Sequence, residues 1–316
     1  MNDKKISFLF GLFLSLLLMT CQSTVTEKNT NENLKIGDAL SYRISIDNEN
    51  RAGAEGQEVT NVMKQEQDYA FIAKERLDNG ATRMDFIMKD IKFSLSNLVE
   101  GVPVGEEIVF DTRKKEESEN PAFGLLQKLM NYPYTMIYNK NGEILSIKGV
   151  EARIDTLFKE VTTPGAQQFM MQMRGFMNEE TMKVQLNELM GYVTLGKELG
   201  DSWETLDTIS LIPTVKTQVY RKYTLNERKD GKVTLGVEGT IQVAPNSIVT
   251  LGVMKFRYDI GGTLEGKIIL EEKNGWVLTS TMRQLMSGKM IGSGPGLGGE
   301  ETLNFYARMD AEVERI

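Results

Sequence analysis

The 316-residue chain contains no histidine, which removes Ser-His-Asp and Cys-His catalysis, imidazole metal sites and a histidine general base. Carboxylates remain, and a pair of them hydrolyses a glycoside when the two face each other about 5 to 10 Å apart in a cleft. Asp259, Asp310 and Glu312, however, alternate with apolar residues, as solvated charges on the wet side of a strand do. Gly294, Gly296 and Gly299 match G-x-G-x-x-G, but this segment precedes the strand-like run Thr302 to Val313 instead of opening a helix. Gly292 to Gly299 therefore reads as a flexible hairpin loop. Asn226 to Val237 fails as a calcium loop, because Arg228 stands where a ligand is needed and Val237 holds the last carboxylate position. These residues point away from an enzyme and imply no cofactor and no metal.

The one cysteine offers a different chemistry. Lys4 and Lys5 precede the uncharged run Ile6 to Met19, the profile of an export signal, and the run is shorter than the about 20 residues that a membrane-spanning helix needs. Leu18-Met19-Thr20-Cys21 resembles the lipobox of bacterial lipoproteins, in which the chain is cut before the cysteine and the thiol takes a diacylglyceryl group. Thr20 departs from the Gly, Ala or Ser usual there. The resemblance implies lipid attachment at Cys21, which also accounts for an unpaired cysteine in an exported chain. Residues 22–33 hold Val25 as their single apolar residue and read as a tether. Gln22-Ser23-Thr24-Val25 has no acidic cluster of the kind that directs some lipoproteins to the cell surface, so the expected place is the outer membrane, facing the periplasm. The net charge of −7 becomes one unit more negative when residues 1–20, with Asp3, Lys4 and Lys5, are removed. An acidic body without a basic run argues against nucleic acid as a partner.

Apolar recognition is the other chemistry on offer. Among 18 methionines, Met170, Met171, Met173, Met177 and Met182 crowd together beside Phe169 and Phe176. Flexible thioethers suit a surface that accepts varied apolar shapes, although helices that merely cover a sheet use them as gap fillers too. Arg221 shares strand parity with Val215, Val219, Tyr223 and Leu225. It would point to the dry face and meet an acidic head group there, unless a bulge or a sheet edge returns it to water. The candidate residues for a hydrophobic ligand are Met170, Met173, Met177, Arg221, Phe256 and Trp276.

The elements that would carry these residues are mostly strands. Apolar alternation at period two runs through Tyr42–Ile46, Val233–Val243, Met254–Ile260 and Leu303–Val313. Met84, Phe86 and Met88 alternate too, and the phase then slips to Ile91, Phe93 and Leu95, which predicts a β-bulge near Lys89 and Asp90. Asp78-Asn79-Gly80, Asn139 to Gly142, Lys229-Asp230-Gly231 and Lys273-Asn274-Gly275 read as hairpin turns. Helical spacing appears over Ala122–Met130, over Val150–Val161 and from about Pro164 to Gly191. The fold class is α+β, mainly β, with long antiparallel, curved sheets in two related halves and a helical insert between them. The divisions are 1–20 signal, 21–33 tether, 34–149 first half, 150–192 Met-rich insert and 193–316 second half. Lys35-Ile36-Gly37-Asp38 and Glu198-Leu199-Gly200-Asp201 open the halves with a similar phrase, as a diverged duplication would.

Gly37-Asp38, Asn120-Pro121-Ala122-Phe123, the hairpin Tyr134 to Lys148 with Gly149, and Leu199-Gly200-Asp201-Ser202-Trp203 together resemble a family of bacterial lipoproteins classed as a domain of unknown function. The resemblance spans most of the chain and implies the anchor and the two-part β architecture, with no catalytic residues to carry over. Two roles stay open. A concave apolar sheet face, partly closed by the Met-rich helices, would hold a lipid or another hydrophobic molecule. Alternatively, sheets filled by their own side chains would form a structural or assembly module that binds another envelope protein.

Overall fold

The computed structural model describes residues 34–54, 57–114, 121–139, 143–160, 178–187, 196–212, 215–244, 247–251, 254–293 and 300–316. Cys21, Met170, Met173, Met177 and the glycines 294, 296 and 299 lie outside them. The first part of the chain supplies β1 (Ala39–Ala54), β2 (Gln57–Arg76), β3 (Thr82–Val99), the short β4 (Val102–Pro103) and β5 (Ile108–Asp111), β6 (Pro133–Tyr138) and β7 (Ile144–Lys148). The second part supplies β8 (Ser202–Ile212), β9 (Val215–Lys229), β10 (Lys232–Val243), β11 (Ile248–Leu251), β12 (Met254–Glu271), β13 (Val277–Ser293) and β14 (Glu300–Arg315). The helices among the described residues are α1 (Pro121–Leu129), α2 (Val150–Lys159) and α3 (Glu179–Asn187). The protein is mainly β.

All fourteen strands belong to one antiparallel sheet in the order β7-β6-β3-β2-β1-β14-β13-β12-β10-β9-β8, with β4 and β5 on β3 and β11 on β12. The two parts of the chain meet at β1 and β14, which pair from Tyr42↔Arg315 to Gly53↔Asn304. The strands are long: β2 has 20 residues, against a usual five or six. Alternation explains their faces, since Tyr42, Ile44 and Ile46 of β1 are buried and so, farther along the paired strand β14, are Phe305, Ala307 and Met309.

The expected bulge is present. Pairing between β2 and β3 passes from Asp68↔Asp90 to Tyr69↔Met88, so Lys89 is the extra residue and the dry face moves from Ile91, Phe93 and Leu95 to Met88, Phe86 and Met84. Three of the expected turns, at Asp78-Asn79-Gly80, Lys229-Asp230-Gly231 and Lys273-Asn274-Gly275, also fall between paired strands, while residues 140–142 of the fourth lie outside the described residues. At the β9–β10 turn, Asp230 (φ 52°) and Gly231 (φ 71°) both take the positive φ that a two-residue hairpin of type I′ requires.

Helix α2 buries Val150, Ile154 and Leu157, the stripe its spacing predicts. Helix α3 buries Met182 and Leu186 and covers the edge strand β7, where the Ile144 N–H donates to Asn187 Oδ1 at 2.7 Å. An edge covered in this way is closed to further pairing.

The two Gly-Asp phrases fold alike. Lys35 N–H donates to Asp38 Oδ2 at 2.8 Å, and Glu198 N–H donates to Asp201 Oδ2 at 2.8 Å. Gly37 N–H reaches Ala73 O and Ala73 N–H returns to Asp38 O, just as Gly200 N–H reaches Leu225 O and Leu225 N–H returns to Asp201 O. Gly37 has φ 95° and Gly200 φ 90°, which glycine adopts without strain.

A second set of glycines crosses the sheet diagonally. Gly239 of β10 pairs with Leu264, Gly262 of β12 pairs with Ile241 and Met286, and Gly288 of β13 pairs with Ile260, so each step across moves two residues along. A Cβ on Gly239, Gly262 or Gly288 would stand 2.0, 2.1 or 2.0 Å from a carbonyl oxygen of the neighbouring strand.

Candidate functional site

The apolar residues of the dry face form one continuous buried cluster that runs from Tyr138 and Ile144 at one side of the sheet to Val219 and Leu225 at the other. Tyr138, at the end of β6, lies edge-on against Trp276, with ring centroids 5.9 Å apart. Trp276 belongs to the β12–β13 turn, and from β6 to β13 the sheet takes five strand-to-strand steps. In a flat sheet those steps would span roughly 24 Å. Tyr42 adjoins this contact, and burial holds its phenol well above the ordinary range. Tyr42 Oη and Trp276 Nε1 are buried without a hydrogen-bond partner.

Three of the residues expected to meet a ligand are described, and all three are buried: Arg221, Phe256 and Trp276 are 3%, 4% and 1% exposed. They do not gather in one place. Phe256 begins β12 and Trp276 follows its far end, and a strand of 18 residues runs roughly 60 Å. Arg221 sits between these levels, opposite Gly239.

Arg221 also corrects an expectation. No bulge and no edge carries it back to water: the β9–β10 register is continuous around it and shifts only between Thr234 and Leu235. Its acidic partner comes from the edge strand, as Nη1 lies 3.5 Å from Asp207 Oδ2. Burial lowers the guanidinium's affinity for its proton and pushes the Asp207 carboxyl up to about 7. An inward-facing charge on an unpaired edge strand such as β8 discourages edge-to-edge association, which is a structural use for the pair.

Sequence reading missed a second polar group on the dry face. Asn48 and Asn50 continue the buried parity of Tyr42, Ile44 and Ile46. Asn50 pairs with Asn61 of β2, and Asn61 pairs with Asn97 of β3. Asn48 Oδ1 and Nδ2, together with Oδ1 of Asn50, Asn61 and Asn97, are buried without a hydrogen-bond partner. The signal for them was available, because polar residues at dry parity are what singled out Arg221.

A groove of about 850 Å³ lies on the opposite, wet face, lined by Asp47, Glu238, Glu265, Lys267, Arg283 and Asp310 among others. Its charges answer one another: Arg283 Nε donates to Asp310 Oδ1 at 2.7 Å and Arg308 Nε to Asp310 Oδ2 at 2.8 Å. The buried amide atoms of Asn48, Asn50, Asn61 and Asn97 that have no hydrogen-bond partner are on the dry face, away from this groove. Among the described residues, no cluster of His, Cys, Asp and Glu is placed to hold a metal ion, and no helix is long and apolar enough to cross a membrane.

The profile of DUF6263, a family of unknown function, matches residues 79–277. The chain belongs to that family. No curated protein matches it. Among solved structures, lipovitellin, described for its lipid–protein interactions, is similar at a TM-score of 0.43 and 12% identity over 89% of this chain, which spans only 25% of the lipovitellin chain. OccK7 (OpdD) of Pseudomonas aeruginosa gives a TM-score of 0.27 at 5% identity, over 89% of this chain and 100% of that one. An outer membrane channel of Pseudomonas putida F1 gives 0.21 at 8% identity, over 92% and 100%. None of these scores reaches the level at which two chains share a fold.

Proposed function

We propose that this DUF6263 chain is an envelope protein, tethered by lipid at Cys21 on the periplasmic side of the outer membrane, whose sheet coils so that its apolar face encloses a lipid or another hydrophobic molecule. The observation that carries the reading is the contact between Tyr138 and Trp276. Strands that a flat sheet would hold roughly 24 Å apart touch at their ends when the sheet coils. The diagonal of Gly239, Gly262 and Gly288 supports the coil, because glycine inside strands marks a tight bend or a close backbone approach. The extra residue at Lys89 bends the other part of the sheet. The repeated Gly-Asp turn supports two related halves that together build the enclosure.

The ligand is tested with the full chain in detergent, carrying Trp203→Phe so that Trp276 is the one remaining indole of two. Titration with a fluorescent fatty-acid analogue is expected to saturate at about one per chain and to quench Trp276 emission. Emission that does not change, with no saturable binding, would leave a self-filled module that binds another envelope protein. The anchor is tested separately. Cys21→Ser is expected to abolish lipid labelling and leave the precursor uncut, whereas a variant processed and membrane-held like the parent would contradict the tether.

A further inference from the structure

We propose that Asn48, Asn50, Asn61 and Asn97 form the site that reads the polar end of the ligand, and that this end is an uncharged, hydroxyl-bearing head group such as a glyceryl diol on an apolar chain. The proposal rests on the reading that the dry face takes a lipid. Asn50, Asn61 and Asn97 follow one another in register across β1, β2 and β3, with about 5 Å between the Cβ atoms of each adjacent pair. Asn48 stands two residues along β1, beside them. Asn48, Asn50 and Asn61 are 2%, 5% and 6% exposed, and five amide atoms of the four residues have no partner.

Native proteins pair nearly all buried polar atoms, so a group of five unmet together marks a place that something else fills. The chemistry of the four residues decides its class. Each is a neutral amide, and the charged pair on this face, Arg221 and Asp207, lies at the far edge and is directed at itself. A carboxylate or phosphate would arrive with a charge and no counter-ion, which a buried site disfavours. A hydroxyl both donates and accepts, so it meets amide oxygen and amide nitrogen alike. The apolar chain has a place beside it, since Ile46, Ala307 and Met309 are buried on β1 and β14 next to the amides.

The test is native mass spectrometry of the full chain, released from detergent in the presence of monooleoylglycerol, oleic acid or methyl oleate at equal concentration. These probes share one chain and differ in a neutral diol, a charged acid and an ester without a donor. Monooleoylglycerol is expected to be retained at least about tenfold over methyl oleate, the effect of one or two hydrogen bonds. Asn50→Leu and Asn61→Leu are expected to reduce that preference to about twofold, without weakening methyl oleate and without lowering the thermal midpoint, because an unmet amide is replaced by an apolar group of similar shape. Asn50→Ser, which replaces the amide with a smaller group that still donates and accepts and serves if leucine does not fold, is expected to keep part of the preference. Equal retention of the diol and the ester by the parent would mean that the amides hold water alone and would overturn the proposal. Retention of none of the three would overturn the enclosed-lipid reading and this site with it.

Discussion

Gly262→Ala is expected to destabilise the protein by about 3 kcal/mol or more. The added methyl would stand 2.1 Å from Leu285 O and 2.9 Å from Met286 Cα. Both belong to the backbone of β13, which is paired with β12 along nearly its whole length, so neither can move aside without breaking the ladder. Gly236→Ala is the matched control. It lies in the same sheet, but its Cβ would meet only the Asn226 side-chain amide at 2.6 Å, and Asn226 is exposed and free to turn. There the loss of unfolded-chain freedom dominates, and stability should stay level or rise by up to about 1 kcal/mol. Denaturant midpoints of the two variants report the difference. Equal midpoints would mean that β12 and β13 do not approach as closely as the diagonal requires, and the coil would lose its hinge line.

The buried ion pair predicts an asymmetry of comparable size. Removing one member of such a pair costs about 3 to 5 kcal/mol, because the other is left charged in a dry place. Asp207→Leu strands a guanidinium that cannot shed its proton at any ordinary pH, so the variant lacks the titration near pH 7 and its deficit against the parent should be largest at pH 5 and narrow by pH 8, as the parent itself loses stability. Arg221→Leu strands a carboxyl that can take up a proton. Burial already pushes Asp207 up to about 7, above its value in the unfolded chain, so its contribution to stability is fully present at low pH and is lost as pH rises through about 7. Arg221→Leu should therefore be mild at pH 5 and severe at pH 8. The double variant should recover most of the loss at both pH values, since an apolar pair of similar volume replaces the ions. Identical pH profiles for the two single variants would show that Asp207 is not held in a dry environment.

Local features were legible in the sequence. The phase slip after Met88 located the bulge at Lys89 because a side-chain period of two leaves no other way to change faces. The turn at Asp230-Gly231 was legible because few residues accept positive φ twice in succession. What stayed hidden was non-local. Nothing in the Tyr42 or Arg315 segments announces that they pair, so two β-rich halves were expected where one continuous sheet crosses from β1 to β14. Asp207 was hidden for the same reason, as its role depends on being opposite Val219 and one step from Arg221. The asparagines were overlooked because neutral amides resemble loop residues until parity places them inside. Among the expected ligand residues, Arg221, Phe256 and Trp276 are inside but spread along the strands, while Met170, Met173 and Met177 lie outside the described residues.

The proposed enclosure is tested most directly by what the dry face of the sheet holds in the cell. Full-length protein purified from its own membranes, washed free of loosely held lipid and extracted with organic solvent, should release a hydrophobic molecule at about one per chain by mass spectrometry. A Gly262→Ala chain purified in parallel should release much less. Stoichiometric lipid in the parent, lost with the coil, is the predicted result. No lipid above the level of an unrelated lipoprotein prepared in the same way, from a chain whose dry faces pack solidly together, would contradict it.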